Sequence, residues 1–204
     1  MKQINIAIMG YGVIGKGVFE ICQNMPNINV VKILERSNRF DLNYLPLFTE
    51  NADEVFDNEN IDLVVEVLGG YDFAKKMIIK ALESGKHVVT ANKEVIAKDI
   101  DTLLNIANEH QVQIAYEASV GGGIPIIKNI KELKKVNKIN KISGILNGTT
   151  NFILTKMFEG LDFTEALKEA QRLGFAEADP TADLEGYDMM RKIAILSDLA
   201  WDTF

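Results

Sequence analysis

The residues with the most chemistry in this chain of 204 lie between positions 174 and 192, GFAEADPTADLEGYDMMRK. Five carboxylates, Glu177, Asp179, Asp183, Glu185 and Asp188, fall within twelve positions, and Arg191 and Lys192 close the run. Pro180 fixes its own φ and steers Asp179 away from the helical region, so residues 176 to 184 are expected to form a structured loop. From about Glu185 a helix follows, with Met189, Ile193, Leu196 and Ala200 in one row and Asp188, Lys192, Ile195 and Leu199 in the next. An exposed Asp and Lys one turn apart are worth roughly a few tenths of a kcal/mol. This row, however, runs on into Ile195 and Leu199, so the pair is expected to be partly buried, and a lysine half out of water beside a carboxylate has a proton that can be used. A free lysine titrates near ~10.4, so to act as a base Lys192 needs burial or a neighbouring cation such as Arg191 or Lys93.

A second group of residues suits a nucleotide. Gly10, Gly12 and Gly15 follow a short apolar strand and open a helix, a context that turns a weak GxGxxG pattern into a cradle of backbone N–H groups for a pyrophosphate. About twenty residues on, Glu35 could accept from a free ribose 2′-hydroxyl and Arg36 could pair with a 2′-phosphate. NADP is expected to bind at least as well as NAD, with Glu35 turned outward. Lys93, in a helix first turn, is misplaced against the dipole unless an anion or a reaction lies nearby. In EASVGGGIP, Glu117 and glycine carbonyls offer oxygen ligands for a hard cation, although the same glycines read equally well as a hinge.

These side chains need elements to hold them. The pattern gives a strand at 4–9, a helix to about Asn24, a strand at 29–34, a polar stretch at 38–60 with a short helix near 51–56, and a strand at 62–68 of nearly continuous apolar residues. Asp72 is expected to cap a helix over 73–82 that Gly85 ends, His87 to start the next strand, and Asn92 to cap the helix after it. A further helix at 100–110 and a strand at 111–118 complete a βα alternation of doubly wound type. Beyond come a helix at 125–135, a strand at 138–146, the NGTTNFIL turn into a helix, and a helix capped by Asp162 with Glu165. His87 and His110 are given no role.

A net charge of −7 argues against nucleic acid or an anionic membrane as the main partner, and the lysines at 128–141 read as a solvated helix face. Cys22 is the lone cysteine, which excludes an intramolecular disulfide and fits a reducing compartment. Met1-Lys2-Gln3 runs straight into a strand and not into a leader, and no apolar run approaches the ~20 residues of a membrane span.

The stretch at 174–192 resembles the signature of the homoserine dehydrogenases, a GFAExDPxxDxxGxD loop followed by a lysine one helical turn on. GYGVIGKG at 10–17, TANKEVIA at 90–97, EASVGGGIPII at 117–127 and GILNGTTNFILTKM at 144–157 agree with the family in the same order. The resemblance implies a Rossmann-like doubly wound parallel sheet (1–123) followed by the first part of an α+β substrate and dimerisation domain (124–204). It implies NADP- or NAD-dependent interconversion of L-homoserine and L-aspartate 4-semialdehyde in threonine, methionine and isoleucine biosynthesis, by a cytoplasmic homo-oligomer. Lys192 would then be the proton donor and Asp188 its partner, with Glu177, Asp183 and Lys93 on the substrate. Gly10, Tyr11, Gly12, Val13, Ile14, Gly15, Arg36, Leu68, Thr90, Lys93 and Gly174 would meet the cofactor. The Glu117 side chain with the carbonyls of Val120, Gly122 and Ile124 would hold a monovalent cation such as sodium. The residue before Arg36 is commonly apolar in the family, so Glu35 is a departure. Family members continue well past Phe204, so the chain is read as ending inside its substrate domain, and is expected to bind dinucleotide weakly, to self-associate through the residues after 124 and to show little or no dehydrogenase activity. The alternatives are a truncated, non-catalytic nucleotide-binding chain and a related Rossmann amino-acid dehydrogenase.

Overall fold

A computed structural model describes residues 3–202. The expectations resting on Met1, Lys2 and Phe204 lie outside the described residues. The chain divides into two compact units, Met1–Gly123 and Ile124–Phe204.

The first unit alternates strands and helices: β1 (Ile4–Met9), α1 (Val13–Gln23), β2 (Ile28–Leu34), β3 (Phe48–Thr49), α2 (Asp53–Phe56), β4 (Leu63–Glu66), α3 (Asp72–Glu83), β5 (His87–Thr90), α4 (Lys93–Glu109) and β6 (Ile114–Ala115). The strands form one six-stranded sheet in the order β3-β2-β1-β4-β5-β6. Every pairing is parallel. β1 is central, so Ile6, Ala7, Ile8 and Met9 are buried on both faces, which is why the strand reads as an apolar run and not as an alternation. Tyr11, Phe19, Ile33, Phe48 and Val65 join Ile6 and Ile8 in the core. Each such side chain contributes about 1.5–3 kcal/mol on burial. The order reverses between β1 and β4, and in sheets of this kind ligands bind in the crevice beyond the strand ends at that point.

Three local expectations need correction here. Asp72 is the first helical residue of α3 and caps nothing; Tyr71 holds the cap position, without a side-chain hydrogen bond. The helices expected near 93 and at 100–110 are one, α4, because nothing from Lys93 to Glu109 breaks it and Ile96, Ile100, Leu103 and Ala107 form an unbroken buried stripe. The polar stretch after β2 holds 3-10 turns at Ser37–Arg39 and Leu42–Leu47 and the two-residue strand β3. His87 is structural, its Nδ1 accepting from the Gln113 N–H at 3.0 Å.

Among the described residues of the second unit every regular element is helical: α5 (Ile126–Lys134), α6 (Gly148–Phe158), α7 (Phe163–Arg172), α8 (Thr181–Leu184) and α9 (Tyr187–Trp201). The strand expected at 138–146 does not form. No described strand lies beside it, and a strand needs a ladder partner. Side chains of α9 hold it instead: Trp201 Nε1 donates to the Ile139 carbonyl and Lys192 Nζ to the Leu146 carbonyl, each at 2.7 Å. Asp162 caps α7 by accepting from the Glu165 N–H, and Ala166 and Ala170 bury against Ile153 and Ala176. No helix among the described residues is long and apolar enough to cross a membrane.

Candidate functional site

The glycine turn after β1 is shaped by how closely its backbone is approached. Gly10 sits at φ +103, and a Cβ there would lie 2.7 Å from the Val67 carbonyl oxygen. A Cβ on Gly15 would lie 2.0 Å from the Gly10 carbonyl oxygen, so only hydrogen fits between helix and turn. Gly12 faces open space. It holds the N-cap of α1 without a capping side chain, and the first turn carries no acidic residue. The leading N–H groups of an eleven-residue helix are thus offered outward, which suits a pyrophosphate.

In front of this turn lies a cleft of about 600 Å³ lined by Gly10, Gly12, Leu34, Glu35, Arg36, Arg39, Glu50, Val67, Leu68, Gly69 and Phe73. Of the expected cofactor residues, Gly10, Gly12, Arg36 and Leu68 line it. Val13 and Ile14 are exposed at the start of α1, while Tyr11, Gly15 and Thr90 are buried behind it. Arg39 and Glu50 are additions from the stretch in which the sequence showed no chemistry.

Glu35 does not turn outward. Its Oε2 accepts from the Tyr11 N–H at 2.8 Å and its Oε1 from the Arg36 N–H at 2.9 Å. Two backbone donors therefore fix the carboxylate against the glycine turn, and rotating it away would strand both. Opposite, Glu50 accepts from the Ser37 N–H at 2.7 Å, a bond that holds its carboxyl below the usual carboxylate range.

Beneath Leu68 lies a carboxyl group that the sequence hid inside an apolar strand. Glu66 is fully buried; its Oε1 accepts from the Leu68 N–H at 2.7 Å and its Oε2 from the Thr90 hydroxyl at 2.5 Å. Thr90 Oγ1 in turn accepts from the Asn92 N–H, while the Asn92 side chain caps α4 and donates to the Gly70 carbonyl at 2.8 Å. The set stitches the ends of β4 and β5 together under the cleft. Desolvation pushes the Glu66 carboxyl up, against the bonds from Thr90, Leu68 and Asn92. The folded state then holds this proton more tightly than the unfolded one. The resulting stability is present in full below the unfolded carboxylate range and is lost as pH rises through the raised folded value. Glu66→Gln, which carries no charge, should therefore flatten the fall in stability above the carboxylate range, by about 1.4 kcal/mol for each pH unit by which the wild-type group is raised. Urea midpoints of both proteins across that range check this; parallel curves would refute it.

In the second unit, Lys192 and Asp188 lie one turn apart near the start of α9, with Lys192 Nζ 2.6 Å from Asp188 Oδ2. The pair is largely buried, the lysine side chain 19% exposed and the aspartate 5%, which goes further than the partial burial expected from the row. Asp183 stands on α8, and Glu177 is exposed in the loop before it. The loop has internal order: Asp179 Oδ1 accepts from the Thr181 N–H and hydroxyl, which holds its carboxyl down. Gly174 ends the run after α7 at φ +80. Sequence reasoning quoted Asn147 within its NGTTN motif but gave it no role. It is buried, and its Nδ2 donates to both Asp183 Oδ1 and Asp188 Oδ2.

Lys93 opens α4 in the first unit. Of the expected cation ligands, Glu117 starts a 3-10 turn, Val120 is buried, and Gly121 and Gly122 take positive φ. Ile124 opens the second unit, with its carbonyl accepting from the Ile126 N–H at 2.8 Å. The donors are all oxygen, which fits a hard cation.

Comparison with known proteins gives the same answer for both units. A family model described as the NAD binding domain of homoserine dehydrogenase matches residues 10–117, and one described as homoserine dehydrogenase matches residues 125–204. Homoserine dehydrogenase of Bacillus subtilis strain 168 is 46% identical, covering 98% of this chain and 49% of that protein. That of Pseudomonas aeruginosa PAO1 is 43% identical, with the same coverages. A crystal structure of a homoserine dehydrogenase from Thiobacillus denitrificans matches at a TM-score of 0.91 and 39% identity, over all of this chain and 50% of that one. A hyperthermophilic archaeal homoserine dehydrogenase in complex with NADPH matches at 0.87 and 31%, over 98% of this chain and 70% of that one. The chain spans about half the length of the curated relatives it matches.

Proposed function

The chain belongs to the homoserine dehydrogenase family, and on that premise we propose that it serves the interconversion of L-homoserine and L-aspartate 4-semialdehyde. The observation that carries this reading is the 2.6 Å pair of Asp188 and Lys192, largely buried and linked to Asp183 through Asn147. Lys192 gives a proton to the aldehyde oxygen on reduction and takes one from the homoserine hydroxyl on oxidation. Two of its ammonium protons go to Asp188 and to the Leu146 carbonyl, and the third remains for the substrate oxygen. Asp188 orients the lysine, while Asp183 and Glu177 receive the substrate ammonium. The backbone N–H groups at the start of α1 and the residues of the first unit's cleft would hold a nicotinamide dinucleotide, with Lys93 at its nicotinamide end, and the cofactor would supply the hydride chemistry. A monovalent cation such as sodium at the Glu117–Gly122 loop would order that turn. The wider reading is a dimeric cytoplasmic enzyme of threonine, methionine and isoleucine biosynthesis, with small molecules and not nucleic acid as partners. Nicotinamide reduction on adding homoserine to the chain tests the activity, and its absence with both NAD and NADP would refute it.

From the fixed Glu35 we infer a cofactor preference opposite to the one expected from sequence. A carboxylate with two oxygens held at the ribose end can still accept from a 2′-hydroxyl, since each oxygen keeps a lone pair. A 2′-phosphate meets it as a like charge. Two unit charges ~5 Å apart repel by about 3 kcal/mol at an effective dielectric of ~20, and Arg36 and Arg39 must outweigh that while Glu50 adds to it. NAD should therefore bind about tenfold more tightly than NADP, a difference of ~1.4 kcal/mol, and Glu35→Ala should abolish the gap. Titration by nicotinamide fluorescence reads both constants; tighter NADP binding by the wild type would show that the arginines win.

A further inference from the structure

The side chain of Asn147 is fully committed, and its orientation is not open to choice. Its Oδ1 accepts from the Thr150 N–H at 2.7 Å and from the Thr150 hydroxyl at 2.8 Å. A backbone N–H can only donate, so the amide oxygen must face Thr150 and the NH₂ must face away. Those two N–H groups reach Asp183 Oδ1 at 2.7 Å and Asp188 Oδ2 at 2.8 Å. The oxygen it reaches on Asp188 is the one that also takes Lys192. The residue before it, Leu146, supplies the carbonyl that takes the same lysine. Two consecutive backbone positions thus fix both partners of the ion pair.

We propose that Asn147 is a positioning residue: one neutral amide, clamped by Thr150, donates a hydrogen bond to each of two carboxylates and so holds Asp183 beside Asp188, the carboxylate that takes Lys192. The proposal rests on the reading of Asp188 and Lys192 as the reacting pair. Two carboxylates brought this close repel one another unless a donor stands between them. Asn147 supplies that donor without adding a charge, and the Asp188 oxygen it holds is the one that takes Lys192. Its other duty, as N-cap of the eleven-residue α6, makes a purely structural role the rival explanation.

Asn147→Asp separates the two. Aspartate caps a helix as well as asparagine does and is favoured by the helix dipole when ionised. It removes both donors, however, and puts a third carboxyl against the first two. Thermal midpoints of the variant and wild-type chains are measured from about pH 4.5 to about pH 8. If Asn147 positions the carboxylates, the variant lies near wild type at the acid end, where its carboxyl can still donate a proton. It then falls at least ~4 °C below by the alkaline end. A gap that does not change with pH, or a variant more stable at the alkaline end, would mean that the residue is only a cap. Should the variant fail to fold at neutral pH, adding Asp183→Asn returns a donor to the cluster and should restore the midpoint; no recovery overturns the proposal. Homoserine turnover in Asn147→Asp should drop at least ~30-fold with dinucleotide binding unchanged. A chain without turnover in wild-type form would refute the enzymatic reading, and the midpoints alone would then decide whether Asn147 positions the carboxylates.

Discussion

In an active, extended form of the protein, and on the proposed function, Lys192→Ala should lower homoserine turnover at least ~100-fold, the loss expected when a general acid or base is removed, and leave dinucleotide affinity where it was. The geometry says why the effect falls on turnover. Lys192 is held from two sides, by Asp188 Oδ2 at 2.6 Å and by the Leu146 carbonyl at 2.7 Å, so its remaining proton has one direction to go. Water entering the space left by alanine has no such constraint. Asp188 keeps its bond from Asn147 in the variant, so the buried carboxylate is not left without a donor and the fold should survive. The cleft proposed for the dinucleotide is lined by first-unit residues, among which Lys192 is not found. Steady-state rates and fluorescence titration of the same preparation separate the two effects; turnover near wild type would remove Lys192 from the chemistry.

Gly15→Ala is the second large effect, and it strikes both stability and binding. The added methyl would sit 2.0 Å from the Gly10 carbonyl oxygen and 3.0 Å from its carbon. Both are backbone atoms of a turn pinned by Gly10 N–H to the Leu34 carbonyl and by Val67 N–H to the Met9 carbonyl. Nothing there is the loose end of a side chain, so α1 must move off the sheet. Overpacking of this kind costs about 1–3 kcal/mol or more, and displacing the leading N–H groups by ~1 Å can cost a pyrophosphate site about a hundredfold in affinity. Gly12→Ala is the control. Its Cβ meets nothing within 4 Å, so the urea midpoint should hold while the dinucleotide, which needs that space, binds more weakly. Equal midpoints for Gly15→Ala and wild type would show that the close approach of helix and turn is not required.

Most of the order of strands and helices in the first unit was readable because the central strands β1 and β4 are covered on both faces and the long helices α3 and α4 show a buried stripe. The parts that escaped have physical reasons. β3 is two residues long, too short for any period to show, yet it carries the chain past Glu50 and so builds a wall of the cleft. Glu66 was passed over because its neighbours Val64 and Val65 announce a buried strand, and nothing local tells that Thr90 and Asn92 will supply its partners from twenty-four residues or more away. Residues 138–146 have β-prone composition, but the ladder is a property of two segments and only one is present among the described residues. In the acidic stretch the pairing of Asp188 with Lys192 followed from helical spacing alone. Asn147, forty-one residues before Asp188, could be quoted from its motif but not placed. The orientation of Glu35 likewise depends on which backbone N–H groups stand free once the glycine turn has closed.

The two walls of the dinucleotide cleft are built differently. Val67, Leu68 and Gly69 continue from a central strand and are tied through the buried Glu66 to Thr90 and Asn92. Beyond the fixed Glu35, the wall from Arg36 to Arg39 consists of a 3-10 turn and bonds in the open, such as Ser37 N–H to Glu50. Bonds of the second kind exchange with water at little cost, whereas the first kind can open only by stranding a buried carboxyl. Compliance in this cleft is therefore one-sided. On the proposed reading, an arriving ribose is expected to order the turn at 36–39, on the nanosecond to microsecond scale of surface turns, against a counter-surface that is already in place. The entropy of ordering should then fall mainly on that end of the ligand.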